Sequence, residues 1–490
     1  MSSVDLAIVA IYVAGLFAVG ISVGRRETAD DFLILSRRAN VFLVMFSVVS
    51  SWVGVGVIAG TAAAAYDSGI SFALTGAIGA ATAVAAAGIF APRIKSFGDR
   101  YKAYTIGDFF GVRYSRGARA AAALTIAGVY MLFAAVQFNG LARLLTVWTT
   151  VDFRVAVIAT AIGTIAYTAF AGIKSDFYTD AIHFVVMVLV LLGVLVPFMG
   201  ASTHGFRDLR SLPASYFRPF TFGGPAYFFG GIIFGVGVVF VSMELWQRIY
   251  ASTTQTTARR ALIASAIGVV PFYGAAALAG LVLRARGVPL PDRDTALFVM
   301  MKTSLPRGVL GLGVAAFVGT FISASNTMMM VVSATLTKDF YCSVLAKQAP
   351  SEGRLLGIAR AMTVAAGVGA VLLSFAVHDI VNLSVLALFL LLVLLPAVIG
   401  GFYWRRATAT AALSSVLAGL ISTFATAAKL GTSAFVTRFI AAPLSFLTVL
   451  LFTRHRPSAV VDSSLATGSQ LVFKLPLLHV LLPRSHGLLC

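Results

Sequence analysis

The stretch Phe46–Ser71, FSVVSSWVGVGVIAGTAAAAYDSGIS, decides how this chain is read. It is long and apolar enough to cross a bilayer, yet its middle is a poor helix. Ser50 and Ser51 precede Trp52, and Gly54, Gly56 and Gly60 follow closely. Each interior glycine costs a helix about 1 kcal/mol relative to alanine. Two readings fit: close helix packing through small residues, or a backbone opened to hold something. Freed carbonyls are tolerated at membrane depth only where they face protein, water or an ion.

Composition fixes the class. Of 490 residues, 59% are hydrophobic and 11% charged, with a mean hydropathy of +0.94; soluble domains carry about 25% charged residues. The chain is an all-α polytopic membrane protein. Apolar runs of bilayer length predict thirteen transmembrane helices: 5–23, 43–66, 71–92, 118–147, 153–172, 178–199, 226–249, 259–286, 307–335, 355–377, 379–403, 407–428 and 434–453. The start MSSVDL lacks the basic leader of a signal peptide. Alternate loops hold most of the 37 Lys and Arg residues, which predicts the N-terminus outside and the C-terminus inside. The net charge of +19 is then a topology signal and no mark of nucleic-acid binding.

Enzyme signatures are absent: no GxxxxGK[ST], HExxH or CxxC occurs, and Cys342 and Cys490 make no metal cluster. No cofactor is expected. His183, inside a span, reads as a packing residue. Arg143 reads either as an anion anchor or as a snorkelling end residue.

A second glycine-rich span, Phe228–Phe240 (FFGGIIFGVGVVF), lies five spans after the first. Two sets of five helices have opposite orientation, and interrupted helices at matching positions of inverted repeats point to a transporter's binding site. The expected layout is an added helix and loop (1–42), a first repeat (43–199), an external loop (200–225), a second repeat (226–403), two further helices (404–453) and a tail (454–490).

Several segments resemble the sodium/solute symporter family. They are GRRETADDFLILSRR after the first span, GIKSDFYTDAIHF, and Gln247, Arg248 and Tyr250 followed by Ala258, Arg259 and Arg260. The others are Asp294-Thr295-Ala296 with Leu305-Pro306 and Gly311, SATLTKDFY, and FYWRRATATAALSS. The resemblance implies a leucine-transporter-type 5+5 inverted-repeat bundle and sodium-coupled uptake by alternating access. It implies a sodium site from the carbonyls of Ser50, Val53 and Thr320, the Ser323 hydroxyl and the position of Ala324. Ala324 departs from the family, which has Ser or Thr there. Ser325 or a water substitutes, affinity is lower, or the coupling ion is a proton.

Ser323, Asn326 and Thr327 share one helical face. Asp180 matches an acidic position that implies, with Asn326 and Thr327, a second ion site or ion pathway; the plainer reading pairs Asp180 with Lys174. Asp176 reads as a solvated loop residue. The expected solute wall is Ser51, Trp52, Gly54 and Gln137, faced by Phe234, Gly235, Val238 and Leu388. Several of these positions are polar in the family's sugar carriers, so a small carboxylate or amino acid is favoured over a sugar. The expected partners are that solute, the sodium ion and the lipid bilayer. Competing readings are a proton-coupled or uncoupled carrier, a transporter-like sensor, and a channel.

Overall fold

The first break falls where the glycines begin. In the computed structural model, which describes residues 2–425 apart from 26, 347, 349 and 377–379, together with 443–449 and 451, one helix ends at Trp52 and the next starts at Val55. The two meet at 48°.

The described spans, in chain order, are α1 (Ser3–Gly24), the bent pair α2 (Val41–Trp52) and α3 (Val55–Ser68), α4 (Ser71–Tyr101), α5 (Arg116–Trp148), α6 (Phe153–Phe170) and α7 (Ile173–Ala201). The second bent pair follows, α8 (Gly224–Val239) and α9 (Met243–Ala251), meeting at 49°. Then come α10 (Gln255–Ala285), α11 (Val309–Leu345), α12 (Glu352–Ala376) and α13 (Leu383–Tyr403). With each pair counted as one span, eleven elements among the described residues are long and apolar enough to cross a membrane. The predicted twelfth run is a 17-residue helix, α14 (Ala409–Ala425). Most of the predicted thirteenth, and the tail, lie outside the described residues.

The second break corrects its expected position and cause. Gly230, Gly231, Gly235 and Gly237 all lie inside α8, and the chain turns after them, at Phe240–Ser242. Three of these glycines, Gly231, Gly235 and Gly237, serve packing. A Cβ on Gly235 would stand 3.2 Å from the Gly79 carbonyl of α4, and one on Gly231 would stand 2.7 Å from Thr75. Close approach through small residues is how membrane helices pack without a hydrophobic driving force.

The bundle is apolar outside and polar within. Ile11, Ile162, Ile267 and Leu372 are exposed, whereas Ser47, Ser50, Asp176, Asp180, Gln247, Arg248, Asn326 and Thr327 are fully buried. That inversion suits lipid as the solvent, because polar side chains in a membrane face the bundle interior.

Candidate functional site

At the first break the helical ladder fails. The Val53 N–H still donates to the Val49 carbonyl, but among the described residues no backbone N–H donates to the carbonyls of Ser50 or Val53. At the start of α3, Val57 and Ile58 N–H donate to the Gly54 carbonyl, and the earlier N–H groups have no acceptor within the helix. Gln137 of α5 repairs one of them, its Oε1 accepting from Val55 N–H at 3.0 Å. Gln137, expected in the solute wall, is therefore tied to the break itself.

The middle of α11 lies against this opening. Ser323 Oγ is 3.1 Å from Ser50 Oγ, and Ala324 Cβ would be 3.3 Å from a Cβ on Gly54. The residues expected to hold an ion therefore come together: Ser50 beside the break, Ser323 and Ala324 across from it. Thr320 lies one turn before Ser323–Ala324 on α11, and its hydroxyl donates to the Ala316 carbonyl. The Ser325 hydroxyl is taken up by the Phe321 carbonyl at 2.7 Å.

Behind Ser323 stands a buried charge cluster. Asp180 accepts from Ser47 Oγ at 2.5 Å and from Ser323 Oγ. Asp176 accepts from Asn326 Nδ2 at 2.5 Å and Thr327 Oγ1 at 3.0 Å. Arg248 of α9 bridges the two, with Nη2 3.2 Å from Asp176 and 3.4 Å from Asp180. It also donates to Thr327 Oγ1 at 2.8 Å and Ser47 Oγ at 3.1 Å. Two expectations are corrected here. Asp176 is wholly buried, because α7 starts at Ile173 and carries Asp176 and Asp180 one turn apart on one face. Lys174 pairs with Asp31 at 3.1 Å, so Asp180 is no loop partner.

The expected solute residues divide. Trp52 Nε1 donates to Glu244 Oε1 at 3.2 Å, joining the first break to the second. The Ser51 hydroxyl is tied to the Ser47 carbonyl at 2.7 Å. Phe234 packs edge-on against Phe389, 5.1 Å between centroids. Gly235 faces α4, as above. The Val238 carbonyl accepts from Ser242 Oγ at 3.0 Å, and Leu388 is half-buried against the core.

Two lone charges resolve plainly. His183 Nδ1 is 2.8 Å from Tyr12 OH, a satisfied interior histidine. Arg143 pairs with Asp292 and, at 3.5 Å, Asp294, and lies over the Phe153 ring. Neither a free anion anchor nor a snorkelling end describes it. Residues missed from sequence are Arg248, Asp176 and Glu244. An Arg and a Glu at the end of an apolar run were the available signal, since charge at membrane depth is costly.

Paired broken helices enclosing a buried polar cluster define a membrane carrier rather than an enzyme. Comparison with known proteins gives the family: residues 32–419 match the model described as the sodium:solute symporter family, and the chain belongs to it. It is 26% identical over 423 residues to the sodium/pantothenate symporter of Escherichia coli K12, covering 83% of this chain and 87% of that one. It is also 26% identical over 416 residues to the sodium/iodide cotransporter of Homo sapiens, covering 77% of this chain and 63% of that one. A solved structure of a Na+-coupled sialic acid symporter, in a substrate-bound outward-open state, matches with a TM-score of 0.78. The identity is 20%, and 94% of this chain and all of that one are covered. The chain is an integral membrane transporter of this fold, and sodium-coupled solute symport is its general activity.

Proposed function

We propose that this chain imports a small organic solute, with sodium seated between the first break and α11. The carbonyls of Ser50, Val53 and Thr320 and the Ser323 hydroxyl are the ligands in this reading, with the Ala324 position contributing none. A small hard cation takes oxygen ligands, and neutral ones hold it without trapping it. The observation that supports this most is the approach of Ser323 to Ser50 beside carbonyls that no backbone donor serves. Sodium there links α2 to α11, so it favours one arrangement of the two over the other. Only such differential binding shifts a conformational equilibrium.

Asp180, with Asn326 and Thr327, forms the inner ion pathway in this reading. The cluster sets one guanidinium against two carboxylates, and a passing cation brings it toward neutrality. The solute lies between the two bent pairs, near Trp52, Gly54 and Gln137. The two five-helix sets, 43–199 and 226–403, rock against one another around it, with the N-terminus outside as the Lys and Arg distribution suggests. The relatives' names span pantothenate and iodide, so the solute class is argued from this chain's own residues.

Ala324 favours one second reading, proton coupling on the same fold, since its side chain carries no hydroxyl for an ion. Uptake into proteoliposomes under sodium, potassium and pH gradients separates the two. Accumulation driven by sodium supports the first reading, and accumulation driven by acid alone overturns it.

A further inference from the structure

The second break brings one more charged group between the bent pairs, and the cluster around Asp180 does not use it. Glu244 is the second residue of α9 and is 6% exposed. Its Oε1 accepts from Trp52 Nε1 at 3.2 Å and its Oε2 from Tyr130 OH. Trp52 is the last residue before the first break. Tyr130 stands two turns before Gln137 on α5, on the same face, and Gln137 caps that break. Glu244 therefore lies where both breaks meet.

Both of its donors are neutral. Among the described residues no Lys, Arg or His pairs with the Glu244 carboxylate. Arg248, one turn on, reaches only the Glu244 backbone carbonyl, at 3.5 Å, and commits its other contacts to Ser47, Asp176, Asp180 and Thr327. A buried carboxylate that no cation touches is costly. A carrier recovers that cost if the missing charge arrives with its cargo. A second observation points the same way. Gln247, three residues along α9, is fully buried with both Oε1 and Nε2 lacking a partner, although buried polar groups are normally paired.

We propose that Glu244 is the solute-reading carboxylate of this carrier and that the solute bears a positively charged nitrogen, an ammonium free or substituted. The assignment rests on the reading of the solute as lying between the bent pairs. The charged nitrogen sits against the Glu244 carboxylate, which Trp52 Nε1 and Tyr130 OH already hold in place. A simple anion meets repulsion there, and a sugar leaves the carboxylate uncompensated. Of the classes favoured from sequence, the amino acid survives and the plain carboxylate does not; amines join it.

The test is a thermal-shift series on the purified full-length protein with choline, ethanolamine, L-alanine, propionate and glucose, each in sodium and in potassium. An ammonium compound raises the melting temperature of the wild type, whereas propionate and glucose do not. Glu244→Gln weakens that response at least tenfold, and Glu244→Asp recovers part of it. Stabilisation of the wild type by propionate or glucose alone, or by none of the ammonium compounds, overturns the proposal. So does a Glu244→Gln protein that responds as the wild type does. Should Glu244→Gln fail to fold, the charge selectivity of the wild type still decides. A sodium-independent response to an ammonium compound overturns sodium coupling and leaves the Glu244 assignment standing, so the two failures are distinguishable.

Discussion

The two breaks solve the same problem in opposite ways. At the first, after Trp52, the Ser50 and Val53 carbonyls have no backbone donor, and the nearby hydroxyl comes from another helix. At the second, local side chains serve two of the carbonyls, while among the described residues no backbone N–H donates to those of Val239 or Val241. Ser242 Oγ donates to the Val238 carbonyl at 3.0 Å, and Trp246 Nε1 donates to the Phe240 carbonyl at 3.0 Å. A break that leaves backbone oxygen unserved suits an ion. The second break, served in part by its own side chains, starts the helix that carries Glu244 and Arg248 into the interior. In the proposed reading, ion and solute chemistry are divided between two otherwise matching bends of 48° and 49°.

The largest effect that can break this division is expected at Arg248. Arg248→Met leaves Asp176 and Asp180 buried without a countercharge, and removing one partner of a buried pair costs about 3–5 kcal/mol. The melting temperature in detergent falls steeply, and adding Asp180→Asn restores part of it, because one uncompensated charge is gone. If the single variant melts like the wild type, the cluster is not held by charge at all. Next is Ser323→Ala, which removes the contacts to Ser50 and Asp180. Sodium-dependent uptake is expected to drop at least tenfold, about 1.4 kcal/mol, in proteoliposomes. Unchanged sodium dependence there removes the ion from the first break.

A smaller effect sharpens the same point. Ala324→Ser supplies the hydroxyl that the family has at this position, next to Gly54. The sodium concentration for half-maximal uptake is expected to fall several-fold. A rise, or no change, would mean that the gap is filled by something other than a missing ligand.

Much of this was legible before any coordinates. Gly54 marks the first break, the five-span offset marks the second pair, and the residue matches bring Ser323 and Asp180 to it. What was not legible follows from how hydropathy works. Lys174, Ser175 and Asp176 depress the apparent apolarity of the start of α7, so hydropathy starts that span at 178 and places Asp176 in the loop. Arg248 falls at the end of the run 226–249, and a sequence does not say whether an arginine there turns outward or inward. In α8 the glycines announced irregularity but supplied close packing against Gly79, and the real turn at Phe240–Ser242 contains no glycine. Small residues mark both breaks and contacts, and only the neighbouring helix decides which.

The smallest expected effect tests the self-closing half of the comparison. Ser242→Ala removes the donor to the Val238 carbonyl, a loss of about 0.5–1.5 kcal/mol for a typical hydrogen bond. The Val241 N–H still donates to that carbonyl at 3.0 Å, so the low end of that range is expected, a shift of a few degrees or less in melting temperature. Sodium dependence should stay as in the wild type, since no ion is held at this break. A Ser242→Ala protein that folds normally but needs much more sodium would show that the second break also shapes the ion site. The division of labour between the two bends would then fail, even with Ser323 behaving as expected.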